Sequence, residues 1–321
     1  MLALTEIFSA HWVLFIVAVL FFLALDLGVF HRQAHVVRFR EAMMWTALWF
    51  TLSMIFAWLL APRMVPAWGR PETDEFVTGY ILELSLSMDN VFVIALIFSY
   101  FRVPVQFQHR VLFWGILGAL LMRGGLIVVG AALLRQFHWL IYVFGAFLLF
   151  TGIKMLFSHE EGVAPEKNWV IRLARQLFPV TPGFEGQRFF TRLDGRLALT
   201  PLALVLLTVE TTDLVFALDS IPAIFGVTQK EFIVFTSNIF AILGLRSLYF
   251  VLASAIRYFH YLKYGLSLVL VFIGVKMLMH PWQEIPTHLS LGIVAGVILS
   301  SIVISIVHGA RGDRKPPTPP A

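Results

Sequence analysis

The chain has 321 residues, 59% of them hydrophobic and 13% charged, with a mean hydropathy of +0.84. That much apolar surface excludes a soluble globular domain and implies a polytopic membrane protein, because repeated apolar runs of about 20 residues match a ~30 Å hydrocarbon core. The absence of cysteine excludes disulfides, thiolate metal sites and thiol redox chemistry, and a net charge of +5 in such a chain reports orientation, not a nucleic-acid partner.

Nine apolar segments follow in chain order: 12–30, 43–61, 76–100, 111–133, 137–157, 200–225, 232–255, 258–279 and 288–308. The first has no Lys or Arg before it and no small-residue cleavage site after it, so it reads as a retained span, not a signal peptide. Backbone groups in lipid must bond internally, so each segment is expected to be a helix and the fold all-α. With the N-terminus outside, the inside loops carry sixteen Lys and Arg, and the outside loops carry four: Arg63, Arg70, Arg135 and Lys230. This bias orients the chain N-outside and C-inside in the lipid bilayer. The long inside loop 158–199 begins acidic and continues with "NWVIRLARQLF" at 168–178, an amphipathic helix expected at the lipid surface. It ends in "RFFTRLDGRLAL", two alternating runs around an Asp-Gly pair, the pattern of a two-residue hairpin. Residues 1–308 are expected to form a single transmembrane domain, and 309–321 a disordered, Pro-rich inside tail. Trp12, Trp45, Trp68 and Trp139 fall at span ends, as an interfacial belt requires, and "GIVAG" at 292–296 reads as a routine helix-packing motif.

The chain repeats itself. "FHWL" at 137–140 matches "FHYL" at 259–262, and "FTGIKML" at 150–156 matches "FIGVKML" at 272–278, both offset by 122 residues. The fifth span therefore corresponds to the eighth, and the fourth to the seventh, each of the latter with one mid-span arginine, Arg123 and Arg246. The third then corresponds to the sixth, where "DNVFVI" at 89–94 faces "DSIPAI" at 219–224 with an acid six residues upstream in both. Repeat A covers 76–157 and repeat B 200–279. A three-helix unit re-enters the membrane from the opposite side, so this is expected to be an inverted-topology repeat, the plan of many secondary transporters.

Acids in the membrane normally face a cavity or a partner. Glu83, Asp89, Glu210, Asp213 and Asp219 cluster in the paired third and sixth spans, and Asp26 in the first, close to Arg32, makes six. Arg123, Arg246, Lys154 and Lys276 oppose them, leaving a deficit of two positive charges that one divalent cation would fill. Glu83 and Asp89 are about 120° apart on an ideal helix and cannot share an ion from one regular helix, whereas Glu83, Ser87 and Asn90 share a face, as do Asp213 and Ser220. Glu210 and Asp213, three apart, also share one. An ion must draw ligands from both repeats or from a broken helix, and Pro222 supplies a candidate break that frees the carbonyl of Leu218. Such a set of carboxylate, amide and hydroxyl oxygens suits hard ions: Mg2+, Ca2+ or Mn2+. His11, His138, His260 and His280 lie near span ends, where interfacial roles are expected. The competing reading is that Arg123 and Arg246 simply pair with two of the acids and lock helices together. No nucleophile–base arrangement is discernible, and no enzymatic activity or bound cofactor is expected.

"ALDLGVFHR", "SLSMDNVFV", "FGAFLLFTGIKML", "FALDSIPAIFGVT", "TSNIFAILGLRSLYF" and "LKYGLSLVLVFIGVKML" together resemble the TerC family of integral membrane proteins, most closely its Alx-like branch. The resemblance covers nearly the whole chain. It implies a bacterial inner-membrane protein that exports Mn2+, with functional acids at Glu83, Asp89, Asp213 and Asp219. Family labels of tellurite resistance and redox modulation find no support in the residues. The expected function is secondary export of a divalent cation by alternating access, with Asn90, Glu210, Ser220 and the Leu218 carbonyl aiding the four acids. Arg123 and Arg246 would supply counter-charge, and protonation of the acids would give proton exchange. The alternatives are a membrane scaffold that assists insertion, assembly or metalation of other proteins, and export of small organic cations.

Overall fold

The computed structural model describes residues 9–25, 39–157, 168–193, 195–255, 262–279, 282 and 285–312. Among these residues the helices are α1 (Ser9–Leu25), α2 (Phe39–Ile55), α3 (Ala61–Met64), α4 (Arg70–Tyr100), α5 (Val105–Gln136) and α6 (Leu140–Phe157). They continue as α7 (Trp169–Leu177), α8 (Pro201–Phe225), α9 (Glu231–Ala255), α10 (Leu262–Met279) and α11 (Thr287–Gly312). A π turn, Phe56–Leu60, joins α2 to α3 in one rod next to Pro62, whose missing N–H breaks the ordinary ladder there. Among the described residues, eight helices are long and apolar enough to cross a membrane, and α1 is a shorter apolar helix. The protein is an all-α, polytopic membrane protein.

The predicted hairpin forms: β1 (Phe190–Leu193) pairs antiparallel with β2 (Arg196–Leu199), and Gly195 takes the positive φ of 76° that the turn demands. The predicted amphipathic helix is α7, started by Asn168, whose side chain accepts from the Val170 N–H at 2.9 Å. Ile171 and Ala174 pack with Leu199, Leu202 and Ala203 against α8, leaving Trp169, Leu173 and Leu177 exposed. Asp26, Arg32 and residues 313–321 lie outside the described residues; residues 309–312, expected in the tail, instead continue α11.

Helix α9 is buried on nearly every face and accordingly runs through the middle of the bundle. Its Phe232 and Phe240 meet Phe15 of α1, and Phe240 also meets Phe56 and Phe76. Each helix lies antiparallel to the one the sequence pairs it with. Gly79 of α4 faces Ile224 of α8 while Asn90 bonds Asp213. Gly124 of α5 faces Phe235 of α9 while His109 meets Arg246. Gly145 of α6 lies against Gly274 of α10, and Gly152 against Ser267. This last pair of contacts exchanges when 122 is added to the α6 positions. Two expectations are corrected. Trp68 is buried and donates to Thr73 at 3.0 Å, because α3 tucks it under α4, so it is not part of an interfacial belt. A methyl added at Gly292 or Gly296 would meet nothing within 4 Å, so the glycine face of α11 packs on no helix among the described residues, although Val294 between them is buried.

Candidate functional site

The helical stagger sorts the polar residues as the spacing predicts. On α4, Glu83, Ser87 and Asn90 all point inward and are at most 3% exposed, whereas Asp89, on another face, is half-buried. On α8, Asp213 and Ser220 are buried, and Glu210 and Asp219 are half-buried. The antiparallel register puts Asp213 beside Asn90 and Ser220 level with Glu83.

Arg123 of α5, 1% exposed, joins the two repeats at this level. Its Nη2 and Nε donate to Asp213 Oδ1 and Oδ2 at 2.7 and 3.1 Å, the bidentate geometry a guanidinium prefers. Its Nη1 pairs with Glu83 Oε1. Two amides complete the cluster crosswise. Asn90 of repeat A donates Nδ2 to Asp213 of repeat B at 3.2 Å, and Asn238 of repeat B donates Nδ2 to Glu83 of repeat A at 3.0 Å. Counting Glu83, Asp213 and Arg123 alone, the cluster carries one formal negative charge.

Around this clamp are buried oxygens with no hydrogen-bond partner: Ser87 Oγ, Asn90 Oδ1, Asn238 Oδ1, Ser220 Oγ and Glu210 Oε2. An orphaned buried acceptor costs about 1–3 kcal/mol, so a donor or cation that reached these oxygens would be stabilising. Glu210 reaches it because α5 has glycine at 118; the carboxyl lies where any side chain there would begin.

The expected convergence of all the acids is corrected. Among the described residues no three acidic or histidine side chains come close enough to hold a metal ion together. Asp219 instead accepts a hydrogen bond from Thr151 of α6, because six residues turn it away from Asp213. Arg246 lies 3.4 Å from His109 of α5. Nor does Pro222 break α8, which stays helical to Phe225: one lost N–H in the final turn is too little to unwind it. Sequence reasoning missed Asn238 and the openings that Gly115 and Gly118 give α5 opposite α8. The signal for Asn238 was present in "TSN" at 236–238, three polar residues inside a span, all completely buried.

A second polar cluster closes the end of the bundle where α4 begins and α8 ends. Lys230, in the α8–α9 turn, bridges Glu72 at 2.6 Å and Glu75 at 3.1 Å, and Thr228 donates to Glu75 at 2.7 Å. A cavity of about 430 Å³ lies here, lined by Glu75, Thr228, Lys230 and Lys276 among others. One turn further along α4, Gly79 approaches Ile224 and Ser237 so closely that an added methyl would sit 3.0 Å from both. Burial alone would lower the proton affinity of Lys230, but Glu72 and Glu75 outweigh it and hold the ammonium above the ordinary lysine value. This stabilisation is present throughout the neutral range and is lost as pH rises through that raised value. Lys230→Gln is expected to cost about 1 kcal/mol, read as a lowered unfolding midpoint at pH 7 that converges on the wild type in strong alkali.

The description "Integral membrane protein TerC family" matches residues 68–314. An uncharacterized membrane protein of Myxococcus xanthus is 52% identical over 309 residues, covering 95% of this chain and 96% of its own. The putative membrane-bound redox modulator Alx of Escherichia coli (strain K12) is 45% identical over 309 residues, with 95% and 96% covered. An uncharacterized membrane protein of Rickettsia bellii is 38% identical over 304 residues, with 95% and 99% covered. No solved structure matches the chain. The match over three-quarters of the chain and the near full-length relatives agree: this chain belongs to the TerC family of integral membrane proteins.

Proposed function

We propose that this chain is a secondary transporter that exports a hard divalent cation, Mn2+ by family resemblance, across the bacterial inner membrane. The observation that carries the reading is the clamp of Glu83 and Asp213, counterparts in the two repeats, on a buried guanidinium ringed by unpartnered oxygens. Two carboxylates from opposite halves that grip a tethered cation form a cation site whose resident is Arg123. A dication that displaced Arg123 would find two balancing charges and several neutral oxygens, a donor set of the hard-ion class. When the ion leaves, Arg123 retakes the acids, so the empty protein can reorient without burying bare charge. Antiparallel packing of each helix on its repeat counterpart supports alternation of the two halves about this level. The name redox modulator belongs to the Escherichia coli relative; a cysteine-free chain has no thiol–disulfide couple.

The second reading is a membrane scaffold in which the same ion pairs are helix glue, and it is favoured by the same observation: Arg123 satisfies two acids at once. Flux of labelled Mn2+ into vesicles reconstituted with the purified protein separates the two. Transport is expected for the wild type and none for Asp213→Asn, with both proteins eluting as the same folded species. Vesicles that stay impermeable to Mn2+ with wild-type protein would sink the transporter and leave the scaffold.

A further inference from the structure

Asn238 stands in no motif singled out by the acids, yet it is wholly buried and bonded to one of them. We infer that Asn238 and Asn90, a crossed pair of amides, are the residues that reject Mg2+ from the site; the inference rests on the cation reading above. Both amides face a carboxylate paired with Arg123, at hydrogen-bond distances of 3.0 and 3.2 Å. A carboxylate only accepts, so each amide must present its NH2 to the acid and turn its carbonyl away. Those carbonyls, Asn238 Oδ1 and Asn90 Oδ1, are the ones left buried with no partner.

The arrangement has two consequences for an ion. First, each half holds the other half's carboxylate by one oxygen, which fixes the separation of Glu83 and Asp213. Second, the carbonyls offer coordination without charge. With two carboxylates a dication is neutralised, a monovalent ion leaves one charge bare, and a trivalent ion leaves one in excess. Among dications the discriminating step is dehydration. The surrounding side chains Glu83, Ser87, Asn90, Arg123, Ser220 and Asn238 are all at most 3% exposed, so an ion here exchanges its water for protein oxygens. Mg2+, the smallest of these dications, keeps its water shell most tenaciously and demands near-ideal octahedral geometry, whereas the larger Mn2+ gives up water more readily and Ca2+ accepts irregular oxygen sets. Neutral carbonyls and hydroxyls on rigid helices are poor compensation for Mg2+. Removing one carbonyl opens room for a retained water, so discrimination falls.

The test compares stabilisation of purified protein by MnCl2, CaCl2 and MgCl2, read as the shift in thermal unfolding midpoint against ion concentration. This needs folded protein but not transport, so failed flux with intact ion stabilisation counts against the transporter alone. In the wild type, the half-saturating Mg2+ concentration is expected to exceed that of Mn2+ by at least tenfold more than in Asn238→Ala. Asn238→Thr separates two roles, because its hydroxyl can still donate to Glu83 but it brings no carbonyl. Loss of discrimination in both variants is the expected result. Full discrimination in either variant overturns the inference, as does a wild type that all three ions stabilise alike or not at all. Should Asn238→Ala not yield folded protein, Asn90→Thr carries the same expectation from the other half, with the same overturning result.

Discussion

Arg123→Met is expected to be the most damaging single substitution in the chain, costing about 3–5 kcal/mol. Methionine fills the space but leaves Glu83 and Asp213, both buried, facing each other without a cation. The loss measures the two stranded charges, not the worth of the clamp. The compensating experiment follows from the same physics: Arg123→Met combined with Glu83→Gln and Asp213→Asn removes every formal charge from the cluster and keeps its shape. Most of the lost stability should return, because replacement of a whole buried ionic group by neutral residues of similar volume is often nearly neutral. Cation stabilisation and flux should not return. Thermal unfolding in detergent, with and without Mn2+, checks both halves of this expectation. A triple variant as unstable as Arg123→Met would show that the charges act through more than one another.

The membrane-spanning fold was legible because apolar runs report hydrocarbon thickness directly, but helix ends were not. The segment read as 76–100 is a helix from Arg70, since Pro71 suits a first turn and Glu72 accepts from the Gly69 N–H at 2.9 Å. Hydropathy detects where lipid stops, not where the backbone stops being helical. The same blind spot hid the pairing of Glu72 and Glu75 with Lys230 just beyond the apolar runs. Within the site, periodicity placed Glu83, Ser87 and Asn90 on one face and set Asp89 on another. It did not reveal that one arginine takes both acids. The repeat suggested two equal arginines, one for each half, and the halves differ where α9 has Asn238 and α5 has Gly115. Such asymmetry is a property of packing between distant helices, and no local pattern carries it.

Gly274→Ala is the second large effect, and it tests how the two halves touch. A methyl on Gly274 would lie 2.7 Å from the Gly145 carbonyl oxygen and 2.7 Å from the Leu149 amide nitrogen. Both are backbone atoms, so no side-chain rotation relieves the clash and α6 must move away from α10. Helix association in lipid relies on such close approach, with small residues at the contact. Overpacking of this kind costs about 1–3 kcal/mol. Gly152 is the counterpart of Gly274, and a methyl there would meet the Ser267 carbonyl at 2.9 Å, so Gly152→Ala is expected to be comparably harmful. Gly292→Ala is the control: nothing lies within 4 Å, and its effect should fall within about 0.5 kcal/mol. The position of the contact extends its consequences. Leu149 is two residues from Thr151, which bonds Asp219, so a displaced α6 withdraws the hydroxyl from that acid. If Asp219 belongs to the ion's route, Gly274→Ala should slow flux beyond its loss of folded protein, and Thr151→Val should reproduce the slowing at normal stability. Equal flux per folded molecule in all of these proteins would separate the α6–α10 contact from transport and leave it as a packing seam only.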